Sequence, residues 1–147
     1  MHRAAPLIIR VILIAVLAIT LTACGTSTPP LSLAPGKSLV EKAIALQVKQ
    51  TQQQLTQQLQ SSLSNIDITG VKLKQLEPLF LGNLPTYRIR GTYSLSIKLP
   101  TQQVTQSHNA FDVYLQRQKE GKTWRLAIPQ ENSEGVPRNW RTYLIAW

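Results

Sequence analysis

Between Tyr87 and Leu99 the chain alternates without a break. Tyr87, Ile89, Gly91, Tyr93, Leu95, Ile97 and Leu99 hold the odd positions, and Arg88, Arg90, Thr92, Ser94, Ser96 and Lys98 the even ones. Successive side chains of a β-strand point to opposite faces, so this pattern demands a long strand with one face buried and the other wet. A sheet with one wet face is antiparallel, because parallel sheets are covered on both sides. Gly91, in the middle of the run, predicts a bend or bulge. Everything else in the chain has to fold around this strand.

Weaker strand patterns flank it. Ile68–Gln75 turns Val71 and Leu73 inward and Lys72 and Lys74 outward, and Val104–Leu115 sets Phe111, Val113 and Leu115 on one face. The segment 118–122, with Gly121, has hairpin-loop chemistry and leads into Trp124, Leu126 and Ile128. Residues 129–137 read as loop. The segment 140–147 suits either a fifth strand or a short helix gathering Trp140, Tyr143, Leu144 and Trp147.

Upstream the period changes from 2 to 3.6. Val40, Ile44, Val48, Thr51, Leu55, Leu59 and Leu63 step along one helical stripe. Ser38 and Glu41 have capping-box spacing, and a helix over 38–63 is expected, with its wet side rich in glutamine. All nine aromatic residues lie between Phe80 and Trp147, so the helix is expected to lie across an aromatic-rich sheet. The fold class is α+β: one N-terminal amphipathic helix on a four- to five-stranded, curved antiparallel sheet.

That order of elements resembles the cystatin-like and NTF2-like α+β folds in pattern only. The inhibitory cystatin signature Gln-x-Val-x-Gly is missing, since residues 102–106 read Gln-Gln-Val-Thr-Gln. Fold analogy of this kind carries no function.

The 147 residues suit one domain. The start reads as removable. Arg3 and Arg10 precede or interrupt a short apolar stretch, and no acidic residue appears before Glu41, as in a secretory leader. The stretch is too short to span a bilayer comfortably. Leu21-Thr22-Ala23-Cys24 follows directly and is the single cysteine's setting. This tetrapeptide resembles the lipobox of bacterial lipoproteins. The resemblance implies cleavage before Cys24, acylation of its sulfur and a domain lipid-anchored to the cell membrane on its extracytoplasmic side. An uncleaved signal anchor is the alternative. The implied divisions are a signal peptide over 1–23, lipidated Cys24 with a flexible spacer over 24–37, and one domain over 38–147. The spacer's prolines at 29, 30 and 35 predict an extended, unpacked tether, and thirteen residues reach roughly 40 Å.

Function is less legible. The formal charge of +9 falls to +7 when Arg3 and Arg10 leave with the leader. It is spread thinly, with none of the basic blocks that mark a nucleic-acid arm. No nucleic-acid partner, metal or cofactor is expected. Mature-chain His108 stands four residues from Asp112, about 13 Å away along a strand and too far for a hydrogen bond. The seven carboxylates form no sequence motif of hydrolysis, and no catalytic residue is assigned.

Two features suit contact. The connector 76–85 is apolar for a loop, so Leu79, Phe80, Leu81 and Leu84 either cap the core or form a docking patch. A hairpin centred near Leu81 would set Lys72 opposite Arg90 and Lys74 opposite Arg88. Like charges directly opposite are unfavourable. Either the register shifts, or that basic face meets an anionic partner. The leading expectation is a non-catalytic interaction module of an envelope or membrane complex. The alternatives are a carrier holding an apolar ligand between helix and sheet, and a signal-anchored protein of unknown role.

Overall fold

The computed structural model describes residues 28–59, 66–130 and 139–145, together with Arg10 and Ile12. A short 3-10 turn, Leu31–Leu33, precedes helix α1 (Lys37–Leu59). Five strands follow: β1 (Ile66–Leu81), β2 (Leu84–Lys98), β3 (Gln103–Arg117), β4 (Trp124–Pro129) and β5 (Trp140–Leu144). They form an antiparallel meander in sequence order, open at both edges. The 140–147 segment is therefore a strand over its described part. The signal peptide and Leu63 of the helical stripe lie outside the described residues, as do the side chains of Leu55 and Leu59. Among the described residues no helix is long and apolar enough to cross a membrane.

The core lies between the first half of α1 and one face of the sheet. Val40, Ile44, Tyr87, Ile89, Val113, Leu115 and Leu126 are fully buried there, with Phe111 and Trp124 beside them. Tyr87 and Trp124 rings meet at 6.1 Å and Tyr93 and Phe111 at 6.4 Å, tilted contacts within the favourable range for aromatic pairs. The stripe holds at Val40 and Ile44, but Leu39 and Ala43 share it, and Thr51 is exposed. The Thr51 hydroxyl instead donates to the Gln47 carbonyl at 3.0 Å, a local bond available to a threonine that no longer faces the sheet. The capping box also gives way. Val40 N–H donates to the Gly36 carbonyl at 3.2 Å, so Gly36 is the N-cap and Ser38 lies inside the first turn.

β1 and β2 are both longer than the alternation suggested. The connector expected at 76–85 is mostly strand: it carries the two strands into a turn at Gly82 and Asn83, with φ of 56° and 67°. Left-handed values at both central residues define the tight turn that matches the twist of paired strands.

Three irregularities curve the sheet. β1 carries extra residues between Thr69 and Lys72 and between Leu73 and Gln75, and β3 carries one between Gln106 and Asn109. Gly70 and His108, both near φ 59°, mark two of them. Gly91 is the glycine that curvature requires. A Cβ there would strike the Lys72 carbonyl oxygen and lie 2.9 Å from the Phe111 ring, which is closer than van der Waals contact allows.

The spacer departs most from expectation. Pro29 is buried, Ala34 packs against the core, and the Tyr87 hydroxyl donates to the Pro30 carbonyl at 2.6 Å. Residues 28–36 are thus laid on the domain and not extended away from it. The boundary expected at 38 moves back to about Pro29. A buried phenol needs an acceptor, and Pro30 supplies one from 57 positions upstream.

Candidate functional site

Cys24 and the lipobox residues Leu21, Thr22 and Ala23 lie outside the described residues. The basic face and the apolar hairpin are described in full, and the first is not what the sequence pattern suggested. Glu77, not Lys74, stands opposite Arg88; Gln75 stands opposite Arg90, and Lys72 opposite Thr92. The turn at Gly82 and Asn83, in place of one centred near Leu81, sets the pairs of Arg88 and Arg90 and removes the like-charge contacts; the extra residues in β1 displace only the pairs from Leu73 back toward Ile66. Arg88 grips Asp112 through two bonds, Nε to Oδ1 at 2.9 Å and Nη2 to Oδ2 at 2.7 Å. Its guanidinium also lies 5.2 Å from the centre of the Tyr114 ring. The Asp112 hydrogen bonds hold the Arg88 proton still more tightly than usual, against the opposing effect of partial burial. Arg90 reaches Glu77 at 3.7 Å. Arg88 and Arg90 are therefore engaged by carboxylates of the same sheet face, while Lys72 and Lys74 are exposed along β1.

This also settles where His108 and Asp112 stand. The histidine is exposed at the β3 bulge and the aspartate faces Arg88. Among the described residues no three His, Cys, Asp or Glu side chains gather in metal-binding geometry.

The apolar hairpin is a surface as well as a lid. Leu79, Leu81 and Leu84 are half-buried, but Phe80 is 46% exposed. Gln116 Nε2 donates to the Leu81 carbonyl at 3.1 Å, which ties the hairpin to β3. Phe80, Leu81 and Trp140 line a shallow cleft of about 320 Å³, and Trp140 stands edge-on to Tyr114 at 4.8 Å.

A second, larger groove of about 460 Å³ runs under the middle of α1. Ile44, Val48, Tyr93, Leu95 and Phe111 line it, with Gln47 and Thr51 at its rim. Gln47 Nε2 closes one side by donating to the Asp112 carbonyl at 3.4 Å. Tyr93 and Phe111 are the aromatic residues of this groove, whereas Tyr87 and Trp124 lie outside its lining and belong to the core cluster. Burial raises the Tyr93 phenol above its ordinary pKa.

The third feature escaped the sequence altogether. β4 pairs with β3 only at Tyr114–Arg117, so the first part of β3 pairs with β2 alone. Residues 103–108 are exposed throughout, and no Asp, Glu, Lys, Arg or Pro occurs between Thr101 and Ala110. Asn109 Nδ2 closes the Gln106 carbonyl at 2.9 Å, which leaves Gln103–Thr105 as the open end of this edge. Charged side chains, prolines and bulges are what usually guard such edges. β1 has all three, in Lys72, Lys74, Pro78 and its two irregularities. The only signal in sequence was the shortness of β4 against β3, and it becomes readable once the hairpin at 118–123 fixes their register.

No family model, curated protein or solved structure matches this chain.

Proposed function

We propose that this chain is a lipid-anchored extracytoplasmic module that binds another envelope or membrane protein and performs no catalysis. The observation that carries the binding role is the open β3 edge at Gln103–Thr105, where an extended segment of a partner adds as a further strand. Main-chain hydrogen bonds give such an addition its affinity, and alternate side chains its choice of partner. Val104, 43% exposed, offers the apolar contact on one side. The anchoring role is supported by Leu21-Thr22-Ala23-Cys24 behind its leader.

A photo-crosslinking residue at Thr105 in the full chain tests this in intact cells. One discrete adduct is expected from position 105 and none from position 45, an exposed site on α1. Thr105→Pro, which removes a strand donor, should abolish a crosslink made from Gln103 while leaving the thermal midpoint within about 2 °C. Adducts of equal yield at positions 45 and 105 would overturn the assignment. The groove under α1 favours a second reading, a carrier of an apolar ligand. A small molecule retained on the purified protein in native mass spectra would favour it over the strand-addition reading.

A further inference from the structure

A lipid anchor is only as loose as the chain between lipid and domain. The prolines of residues 25–37 suggest a reach of roughly 40 Å, but the fold takes most of that length away. The chain is already fixed at Pro29, buried, and at Pro30, held by the Tyr87 hydroxyl. From Cys24 to Pro29 there are five Cα steps, at most about 18 Å even when fully stretched. An acylated cysteine sits at the boundary between acyl chains and headgroups, and one leaflet's headgroup layer is itself about 5–8 Å deep.

The end of the domain nearest that cysteine is suited to such a position. Leu31 is 61% exposed and Leu33 38%. The following residues, up to Gly36, share a cleft of about 340 Å³ with Arg117, Gly121 and Trp124, so the β3–β4 hairpin stands beside them. Lys37, Lys119 and Lys122 are exposed here. Glu41, 4.0 Å from Lys37, and Glu120 oppose them, leaving a cationic balance once Arg117 is counted. Glu120 accepts a hydrogen bond from Thr123, which pulls its carboxyl below the usual range.

The rest of the molecule runs away from this end. β2 carries the chain eleven residues from Tyr87 to Lys98, about 36 Å. α1 runs the same way, its start beside Gly121 and its middle beside Phe111.

We propose that the domain is seated on the bilayer through its 3-10 turn, with Leu31 and Leu33 in the headgroup layer of an anionic membrane and Lys37, Lys119 and Lys122 around them. This inference rests on the lipoprotein reading of Cys24. It goes further by giving the domain a fixed pose: the hairpin at 118–123 faces the membrane and the turn at 99–102 points away. The β3 edge is then presented outward and not toward the lipid. Exposed leucines beside lysines are the pairing that interfacial segments use, apolar contact plus attraction to anionic headgroups.

The test uses the full acylated chain in vesicles of phosphatidylglycerol and phosphatidylcholine. Acylation consumes the native thiol, so a single new cysteine takes a nitroxide label, at Ser32→Cys or at Thr101→Cys, both exposed sites. Collision with a water-soluble nickel complex is expected to fall severalfold at position 32 on reconstitution and to stay unchanged at position 101. Lys37→Glu with Lys122→Glu should recover part of that loss. The N-terminal peptide mass is read on the same sample. An acylated Cys24 with position 32 fully accessible would overturn the seating and leave the lipoprotein reading standing. A membrane-associated chain with an unmodified Cys24 would overturn both.

Discussion

β2 passes through two very different environments. Its first half, Tyr87 and Ile89, is fully buried beneath α1 and flanked by β1 and β3, with β4 one strand beyond. Its second half, Leu95 and Ile97, carries the same inward pattern but is only half-buried. Beyond the bulges the sheet narrows to three strands, and β3 is exposed along residues 103–108. One strand with one alternation thus supports a core at one end and an open surface at the other. Period 2 tells which face is apolar; it does not tell what covers that face. The cover comes from α1 and β4, and both favour the near half.

The sharpest way to break this comparison is to place one charge at two points on the same strand and face. Ile89→Asp buries a carboxylate with no partner and should cost about 5 kcal/mol or more, abolishing the cooperative thermal transition. Ile97→Asp should cost only about 1–2 kcal/mol and leave that transition intact. Equal losses in calorimetry would mean that the two halves form one core after all.

Gly91 sits where the halves meet. Gly91→Ala pushes a methyl against the Lys72 carbonyl and the Phe111 ring, and overpacking of this kind costs about 2–3 kcal/mol. A denaturant midpoint unmoved by the substitution would show that the crossing of β1 over β2 is looser than the fold implies.

The smallest effect concerns the near end. Burial raises the Tyr87 phenol above its usual pKa near 10, while Arg117 partly offsets the rise. The folded chain therefore keeps this proton when the unfolded chain has lost it, so the stabilisation is intact below about pH 10 and declines as pH rises above it. Tyr87→Phe removes the Pro30 bond and should lower stability by about 1 kcal/mol at pH 7. The gap between the two proteins should narrow above pH 10 in denaturant titrations. A gap that is constant across that range would remove Tyr87 from the alkaline loss.

The strands were legible where alternation was uninterrupted, and β2 is the case in point. In β1 the alternation covers only half of the strand, because its extra residues break the period and Leu76–Leu81 has the composition of an apolar loop. Gly82-Asn83 between apolar runs was the available sign that both strands continue into a tight turn. The same turn fixes the charge register as far as Gln75 opposite Arg90, whereas from Leu73 back toward Ile66 each bulge displaces every later pair. The docking of residues 28–36 was equally hidden. Prolines there are compatible with an extended spacer, and the contact that holds them comes from Tyr87, far along the chain. The open β3 edge depends on how little of β3 the short β4 covers, a property of two strands together and not of either sequence.

The bulges also determine how this chain tolerates changes of length. From Thr69 to Gln75 β1 takes six steps while β2, from Ser94 to Arg90, takes four. Two surplus residues cancel in facing, so Ile68 opposite Leu95 and Leu76 opposite Ile89 stay on the inner side. β3 has a single surplus, and its inward set changes from even positions at Val104 to odd ones at Phe111. Loss of one residue from β1 between 69 and 75 would turn Ile66 and Ile68 outward; loss of two would restore them. Related chains should therefore gain or lose residues in this stretch of β1 in pairs, whereas at the β3 bulge even a single deletion would have to be answered by an exchange of side chains along residues 103–106.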